Sequence, residues 1–336
     1  MPHDFIAIGD IVTDAFIKLH DAEVHKHMRT ETRDICLPWG TKIPYDGVVV
    51  VPGVGNCANA AVAAARLGLT SALVTNTGDD EIGQAQKKTL ENNHVSTEFV
   101  HTHTGKPSNY HYVLSFKGER TILVKHEEYL YMVPEMGNPK WIYLTSLSQT
   151  SENFHNEIAD WLEAHPDVNL VFQPGTFQIK MSKDPSTTLG VNKLARIYAR
   201  TNIFFCNIEE AQTILDTKKR DIRKLSEAVR ELGPKIVCLT DGTDGAYAFD
   251  GTELWFTPQY PDPKPPLDRT GAGDAFASTF SVAIALGKTL PEALSWGPIN
   301  SMSVVQYYGA QEGLLSREKL EQYLASAPAE YKVKKM

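Results

Sequence analysis

Short apolar runs alternate with helical stretches along most of this chain. FIAIG (5–9), SALVTNTG (71–78), WIYLTSL (141–147), NLVFQP (169–174), TNIFFCN (201–207), KIVCLTDG (235–242) and AYAFDG (246–251) read as strands. GQAQKKTLENN (83–93) reads as an exposed helix, and SENFHNEIADWLEAH (151–165), IEEAQTILD (208–216) and RKLSEAVRELG (223–233) as helices between or after the later strands. This alternation predicts an α/β fold with a mostly parallel central sheet covered by helices on both faces. Two strand-rich, loop-rich regions interrupt it, at about 15–52 and 96–128. They are expected to form a small β-layer or lid over a single main domain spanning 1–336. Within the second, NYHYVLSF and GERTILVKH predict a hairpin turning at Lys117-Gly118-Glu119.

The stretch VVVVPGVGNCANAAVAAARLG (48–68) adds a candidate chemistry. Its four valines predict a buried strand, and Gly53, Gly55 and Ala58 satisfy G-x-G-x-x-A before a small-residue helix. A dinucleotide site also needs an acidic residue about 20 positions further on, at the end of the next strand. That strand ends near Thr75-Asn76-Thr77, with no acid before Asp79. The fingerprint is therefore incomplete.

Composition narrows the class. The chain has 336 residues, 42% of them hydrophobic, and a formal net charge of −8. This is ordinary for a globular protein, and it disfavours nucleic acid as a main partner. No run of about 18 apolar residues predicts a membrane span, and MPHDFIAIGD lacks the pattern of a secretory signal. Cys36, Cys57, Cys206 and Cys238 form no C-x-x-C pair, as expected of reduced, mostly buried thiols in a cytoplasmic protein.

The most informative segment is DRTGAGDAFASTFSVAIALG (268–287). Gly271-Ala272-Gly273 makes a tight turn into an apolar helix, where unpaired N–H groups and the helix dipole favour an anion. Asp274 stands in the first turn. A carboxylate there suits a base that takes a proton from an attacking hydroxyl while the backbone stabilises the transferred group. A plain N-capping aspartate is the alternative.

DRTGAGDAF resembles the second signature of the ribokinase-like (PfkB) carbohydrate kinase family, and GNCANAAVAAARLG resembles its first. The resemblance runs from Ile6 to about Gly309 and implies an ATP-dependent kinase acting on a sugar hydroxyl, with a nucleoside as the alternative acceptor. It implies Asp274 as base, Gly271, Ala272 and Gly273 as anion hole, and Asp14, Gly55 and Asn59 as acceptor-binding residues. ATP would lie along Thr240, Gly242 and Gly245 and near Asn300. Asn207 and Glu210 match the N-x-x-E associated with magnesium and phosphate, although Asn with a Glu three residues later also fits a capping box. Asp268 could help hold a monovalent cation, and the β-layer could carry a homodimer. Asn109, Tyr110 and Arg120 are candidates for acceptor specificity.

Val54-Gly55 replaces the family's frequent Gly-Gly, and Arg269 replaces a frequent Thr. Leu286-Gly287-Lys288-Thr289 ends like a P-loop, but position 282 is Val282, so Gly287 reads as a helix-ending glycine. His20, His25 and His27 have no partner pattern for a metal and read as solvated. The rival classes are an NAD-dependent oxidoreductase and a non-catalytic sugar or nucleotide sensor.

Overall fold

The computed structural model describes residues 3–27, 33–117, 119–181 and 194–336. An 11-stranded sheet forms its centre. Phe5–Ile8 lies between Ser71–Gly78 and Trp141–Leu144, and the sheet continues in parallel through Asn169–Phe172, Ile203–Asn207 and Ile236–Thr240. Beyond Ile236–Thr240 the pairing turns antiparallel, through Ala246–Phe249 and Leu254–Thr257 to Lys334–Lys335. The predicted α/β class and mostly parallel sheet are both present.

Side chains alternate across this sheet and so feed two cores. Phe5, Ala7, Tyr143, Ile203 and Phe205 point to one face, where they pack with the helices Asn56–Arg66, Ala272–Ala285 and Leu290–Val304. Ile6, Ile8, Ile142, Leu144, Phe172 and Phe204 point to the other, beneath the helices Glu152–Ala164, Ala195–Arg200 and Ile222–Glu231. Burial on both faces explains why these strands read as continuous apolar runs. The first of these helices runs close to the sheet because its inward residues are small. Ala58, Ala60, Ala61, Ala63 and Ala64 are buried, and the Cβ of Cys57 leaves no room for a side chain at Gly9.

A second sheet of four strands takes the order Glu119–Leu123, Tyr110–Phe116, Val12–Leu19, Tyr45–Val54. It joins parts of the two regions singled out in the sequence; Glu23–Lys26 and Arg33–Cys36 pair with each other in a separate two-stranded sheet. Val95–Ser96 and Val100–His103 belong to the central sheet instead. Val48, Val49 and Val50 are exposed, not buried as their hydrophobicity predicted. Among the described residues they lie on an edge strand that pairs only with Val12–Leu19, and a run of valines reads alike in a covered sheet and an uncovered one. The hairpin of Tyr110–Phe116 with Glu119–Leu123 forms antiparallel as expected; Gly118 at its turn lies outside the described residues.

Gly287 takes a φ of +81° just past the helix ending at Ala285, as a helix-ending glycine does. His20, His25 and His27 are exposed, each beside a carboxylate: Asp46, Glu23 and Asp34. Among the described residues the four cysteines are free, and no helix is long and apolar enough to cross a membrane.

Candidate active site

Gly271 opens the helix Ala272–Ala285 with a φ of +80°. A Cβ there would stand 2.2 Å from the Cβ of Ala310, so glycine is required both for backbone conformation and for space. The first-turn N–H groups have no acceptor within the helix. Nothing lies within 4 Å of where a Cβ on Gly273 would be, so this end of the helix is open to an approaching group.

The carboxylate of Asp274 is held by three side-chain amides. Asn56 Nδ2 and Gln173 Nε2 donate to Oδ1 at 2.9 and 3.2 Å, and Asn59 Nδ2 donates to Oδ2 at 2.8 Å. A carboxylate offers about four lone-pair sites, so one remains for an incoming hydroxyl proton. Burial pushes the Asp274 pKa above the ordinary aspartate value. Hydrogen bonds from Asn59 and Gln173, the charge of Arg120 and the bond from Asn56 pull the other way.

The amides are themselves fixed. Asn59 Oδ1 accepts from Gln311 Nε2, which also donates to the carbonyl of Gly53. Arg66, at the far end of the same helix, donates to the carbonyls of Gln311 and Leu314 at 2.7 Å each and so anchors the loop that carries Gln311. Gln173 Oε1 accepts from the buried Tyr143 hydroxyl. Sequence reasoning missed Asn56, Gln173 and Gln311. Asn56 stands three residues before Asn59 and thus on the same helical face, which is a readable signal. Gln173 follows a strand end, where α/β folds place ligands. Gln311 has no local signal.

Asn59 is expected from the sequence to meet the acceptor. One of its two amide N–H groups donates to Asp274 and its oxygen accepts from Gln311, which leaves the second N–H for a ligand. It also orients Asp274. The helix start that a dinucleotide would occupy thus presents side chains to a carboxylate. Gly55 has a φ of +108°, and a Cβ there would lie 2.7 Å from the carbonyl oxygen of Asp10. It lets the turn close onto the end of the first strand.

A cleft opens on the other side of Gly273, lined by Thr240, Gly242, Gly245, Ala272, Ser301 and Met302. Gly242 and Gly245, at φ +54° and +110°, bend the chain between Ile236–Thr240 and Ala246–Phe249. Arg269 and, from the small sheet, Arg120 line the same cleft. Asn300 does not. It is fully buried, donates to Thr279 Oγ1 at 2.8 Å and accepts from the Leu315 N–H at 2.9 Å, bracing two helices behind the wall. The cleft-facing residues are its neighbours Ser301 and Met302.

Asn207 and Glu210 form the capping box. Asn207 Oδ1 accepts from the Glu210 N–H at 2.7 Å, and Glu210 Oε2 from the Asn207 N–H at 2.8 Å. Burial raises the Glu210 pKa, the Asn207 N–H opposes this, and the negative charge of Asp274 adds to it. The other oxygen of Glu210 is outside the cap. Both oxygens of Asp268 take protein donors, from Thr270 and from the Gly309 N–H, so it closes its own loop. Asp14 is buried in the small sheet with Oδ1 lacking a hydrogen-bond donor. Asn109 ties that sheet internally, donating to the Ile11 carbonyl and accepting from the Glu127 N–H. Tyr110 packs its ring against Tyr112.

Several known proteins are similar to this chain. The ribokinase of Bacillus subtilis is 28% identical over 283 residues, covering 82% of this chain and 88% of that protein. The structure of Arabidopsis thaliana ribokinase complexed with ribose and ATP superposes with a TM-score of 0.77 at 19% identity, covering 96% of this chain and 99% of that one. The nucleoside kinase of Methanocaldococcus jannaschii, an archaeal member of the ribokinase family, superposes with a TM-score of 0.76, also at 19% identity, over 97% and 100% of the two chains. At these identities the two structures establish the ribokinase fold. The sequence pattern of the pfkB family carbohydrate kinases matches residues 45–317. With that match over most of its length, the chain belongs to the pfkB family of carbohydrate kinases, which are phosphotransferases with an alcohol acceptor.

Proposed function

We propose that the protein transfers the γ-phosphoryl group of ATP to a sugar hydroxyl, with Asp274 as general base. The observation that carries this reading is the Asp274 carboxylate, held by three amides at an open helix start between a glycine-bent cleft and the buried carboxylates of Asp10 and Asp14. ATP lies along Thr240, Gly242 and Gly245, with its terminal phosphate toward Gly271, Ala272 and Gly273. Their N–H groups and the helix dipole offset the charge of the phosphoryl group as it moves. The acceptor sits against Asp14 and the Gly55 turn, and its hydroxyl donates into the remaining lone pair of Asp274. Such catalysis is mainly positioning and charge neutralisation.

The small sheet acts as the lid of this site. Arg120 supports that role, since it extends from this sheet into the nucleotide cleft and its charge reaches Asp274. Closure would exclude water that could otherwise take the phosphoryl group.

Magnesium fits Asn207 and Glu210 through water, because the pair offers hard oxygen donors and one Glu210 oxygen lies outside the cap. When bound, the ion would neutralise phosphate charge. Asp268 Oδ1 takes two donors from Thr270 and Oδ2 one from the Gly309 N–H, which leaves one Oδ2 lone pair for a monovalent cation.

The small sheet also supports a homodimer. Val50, Ala15, Tyr112 and Leu123 stand side by side across its four strands on one face. Val50, Tyr112 and Leu123 are about half exposed, at 52%, 48% and 51%, an arrangement that marks an interaction surface. A cytoplasmic location fits the free thiols and is likewise part of this proposal.

Asp274→Asn should lower turnover by about 10²–10⁴-fold in a coupled assay over sugars and nucleosides while calorimetry still detects ATP binding; near-normal turnover would sink the assignment. Because burial raises the Asp274 pKa, kcat/KM should fall with acid at a pH above the ordinary aspartate range. Gln173→Ala removes a donor to the charged form and should move that acid limb to still higher pH; an unmoved limb contradicts the role of Asp274 as base. Glu210→Gln can keep the capping box but loses the charge. It should leave the melting temperature nearly unchanged while the magnesium needed for half-maximal rate rises about 10-fold, the lower end for second-shell changes at metal sites, and an unchanged requirement would make the pair a cap alone. Sedimentation should show a dimer at micromolar concentration that Val50→Lys converts to monomer; a monomeric wild type rules the interface out.

A further inference from the structure

Beneath the small sheet, two carboxylate–imidazole pairs stand side by side. Asp14 and His111 are neighbours across the strands Val12–Leu19 and Tyr110–Phe116, with Oδ1 and Nδ1 3.6 Å apart. Asp10, just past the first strand of the central sheet, faces His126 with Oδ2 and Nδ1 3.4 Å apart. The two imidazole rings meet edge to face at 5.4 Å and so join the pairs into one cluster. Asp10 and Asp14 are only 6% and 8% exposed.

Among the described residues, four atoms of this cluster are buried without a hydrogen-bond partner: Asp10 Oδ2, Asp14 Oδ1, His111 Nε2 and His126 Nδ1. Tyr131 donates to the other oxygen of Asp10 at 2.8 Å, which fixes that carboxylate and leaves Oδ2 turned to the cluster. Buried polar groups left unpaired are costly, and a concentration of them calls for a ligand that supplies the missing partners. The cluster adjoins the Gly55 turn, since the Asp10 carbonyl oxygen lies where a Cβ of Gly55 would be. It therefore belongs on the acceptor side of Asp274.

We propose that Asp10, His111 and His126, together with Asp14, form the acceptor-specificity subsite and select an uncharged, polyhydroxylated sugar over sugar phosphates and sugar acids. This rests on the kinase reading above and extends it to the acceptor class. The two carboxylate oxygens only accept hydrogen bonds, so the ligand must bring donors to them. The imidazole nitrogens donate or accept according to tautomer, and hydroxyls satisfy either state. With both imidazoles neutral the cluster carries two negative charges, and with both protonated it carries none. In neither state does it offer net positive charge to a phosphate or carboxylate, whose oxygens would also leave Asp10 and Asp14 without donors. Lys125, the nearest basic residue in sequence, is paired with Glu127.

The test is ATP-dependent phosphorylation over matched sets of neutral sugars, their monophosphates and their acids, with product detected by mass spectrometry. The expected result is a kcat/KM at least 100-fold higher for a neutral sugar than for its charged counterparts. Asp10→Asn and His126→Gln should each raise the acceptor KM about 10-fold or more, with the KM for ATP and the melting temperature little changed. Preference for a phosphate or an acid overturns the subsite. So does an unchanged acceptor KM in folded variants that still bind ATP. Absence of phosphorylation across every set, with ATP bound, instead overturns the kinase reading on which the subsite depends.

Discussion

The structure turns on one half-buried carboxylate held by amides at the start of a helix. Asp274 receives hydrogen bonds from Asn56, Asn59 and Gln173, which come from two other segments of the chain. Burial opposes its charge and the amides favour it, so its position and its proton affinity are set by the same bonds. Misplacing any of the three donors would leave a buried polar group unpaired and shift the carboxylate. The helix carrying two of them is therefore pinned at both ends. Gly53 and Gly55 allow its entry turn, and Arg66 at its exit holds the loop from which Gln311 reaches back to Asn59.

The two sheets divide the remaining tasks. The central sheet is covered on both faces and supplies a rigid floor, with Asp10, Gln173 and Asn207 at or just past strand ends. The small sheet has one face toward that floor and one face toward solvent. Its inward residues include Asp14 and Phe16, whereas Val50, Tyr112 and Leu123 look outward. A layer so thin cannot bury both faces by itself. Its inner face suits closing over a substrate, and its outer face suits burial against a second copy.

Much of the site was legible because its parts are local. A glycine turn before a helix reads directly from G-A-G-D, since only glycine fits the left-handed turn and the close approach of Ala310 at position 271. The strand–helix alternation predicted the sheet class for a similar reason, through burial on both faces. Asn300 shows where local reading ends. It occupies a position that suggests ligand contact, yet it is fully buried and its amide is used by Thr279 and the Leu315 N–H. The run Val48–Val51 fails in the same way, because hydrophobicity specifies a strand but not what covers it.

By itself, the sequence determined the strand–helix alternation of the central sheet, the glycine-opened helix with its acid in the first turn, and the kinase-like series of motifs. Each depends on backbone geometry or on burial periodicity over a few residues. Tertiary structure alone decided which amides meet Asp274, which face of the small sheet is bare, and that Asp10, Asp14, His111 and His126 share one buried cluster. These residues lie up to 116 positions apart, from Asp10 to His126. Hydrogen bonds and desolvation act over a few ångströms in space, and no spacing along the chain encodes that distance.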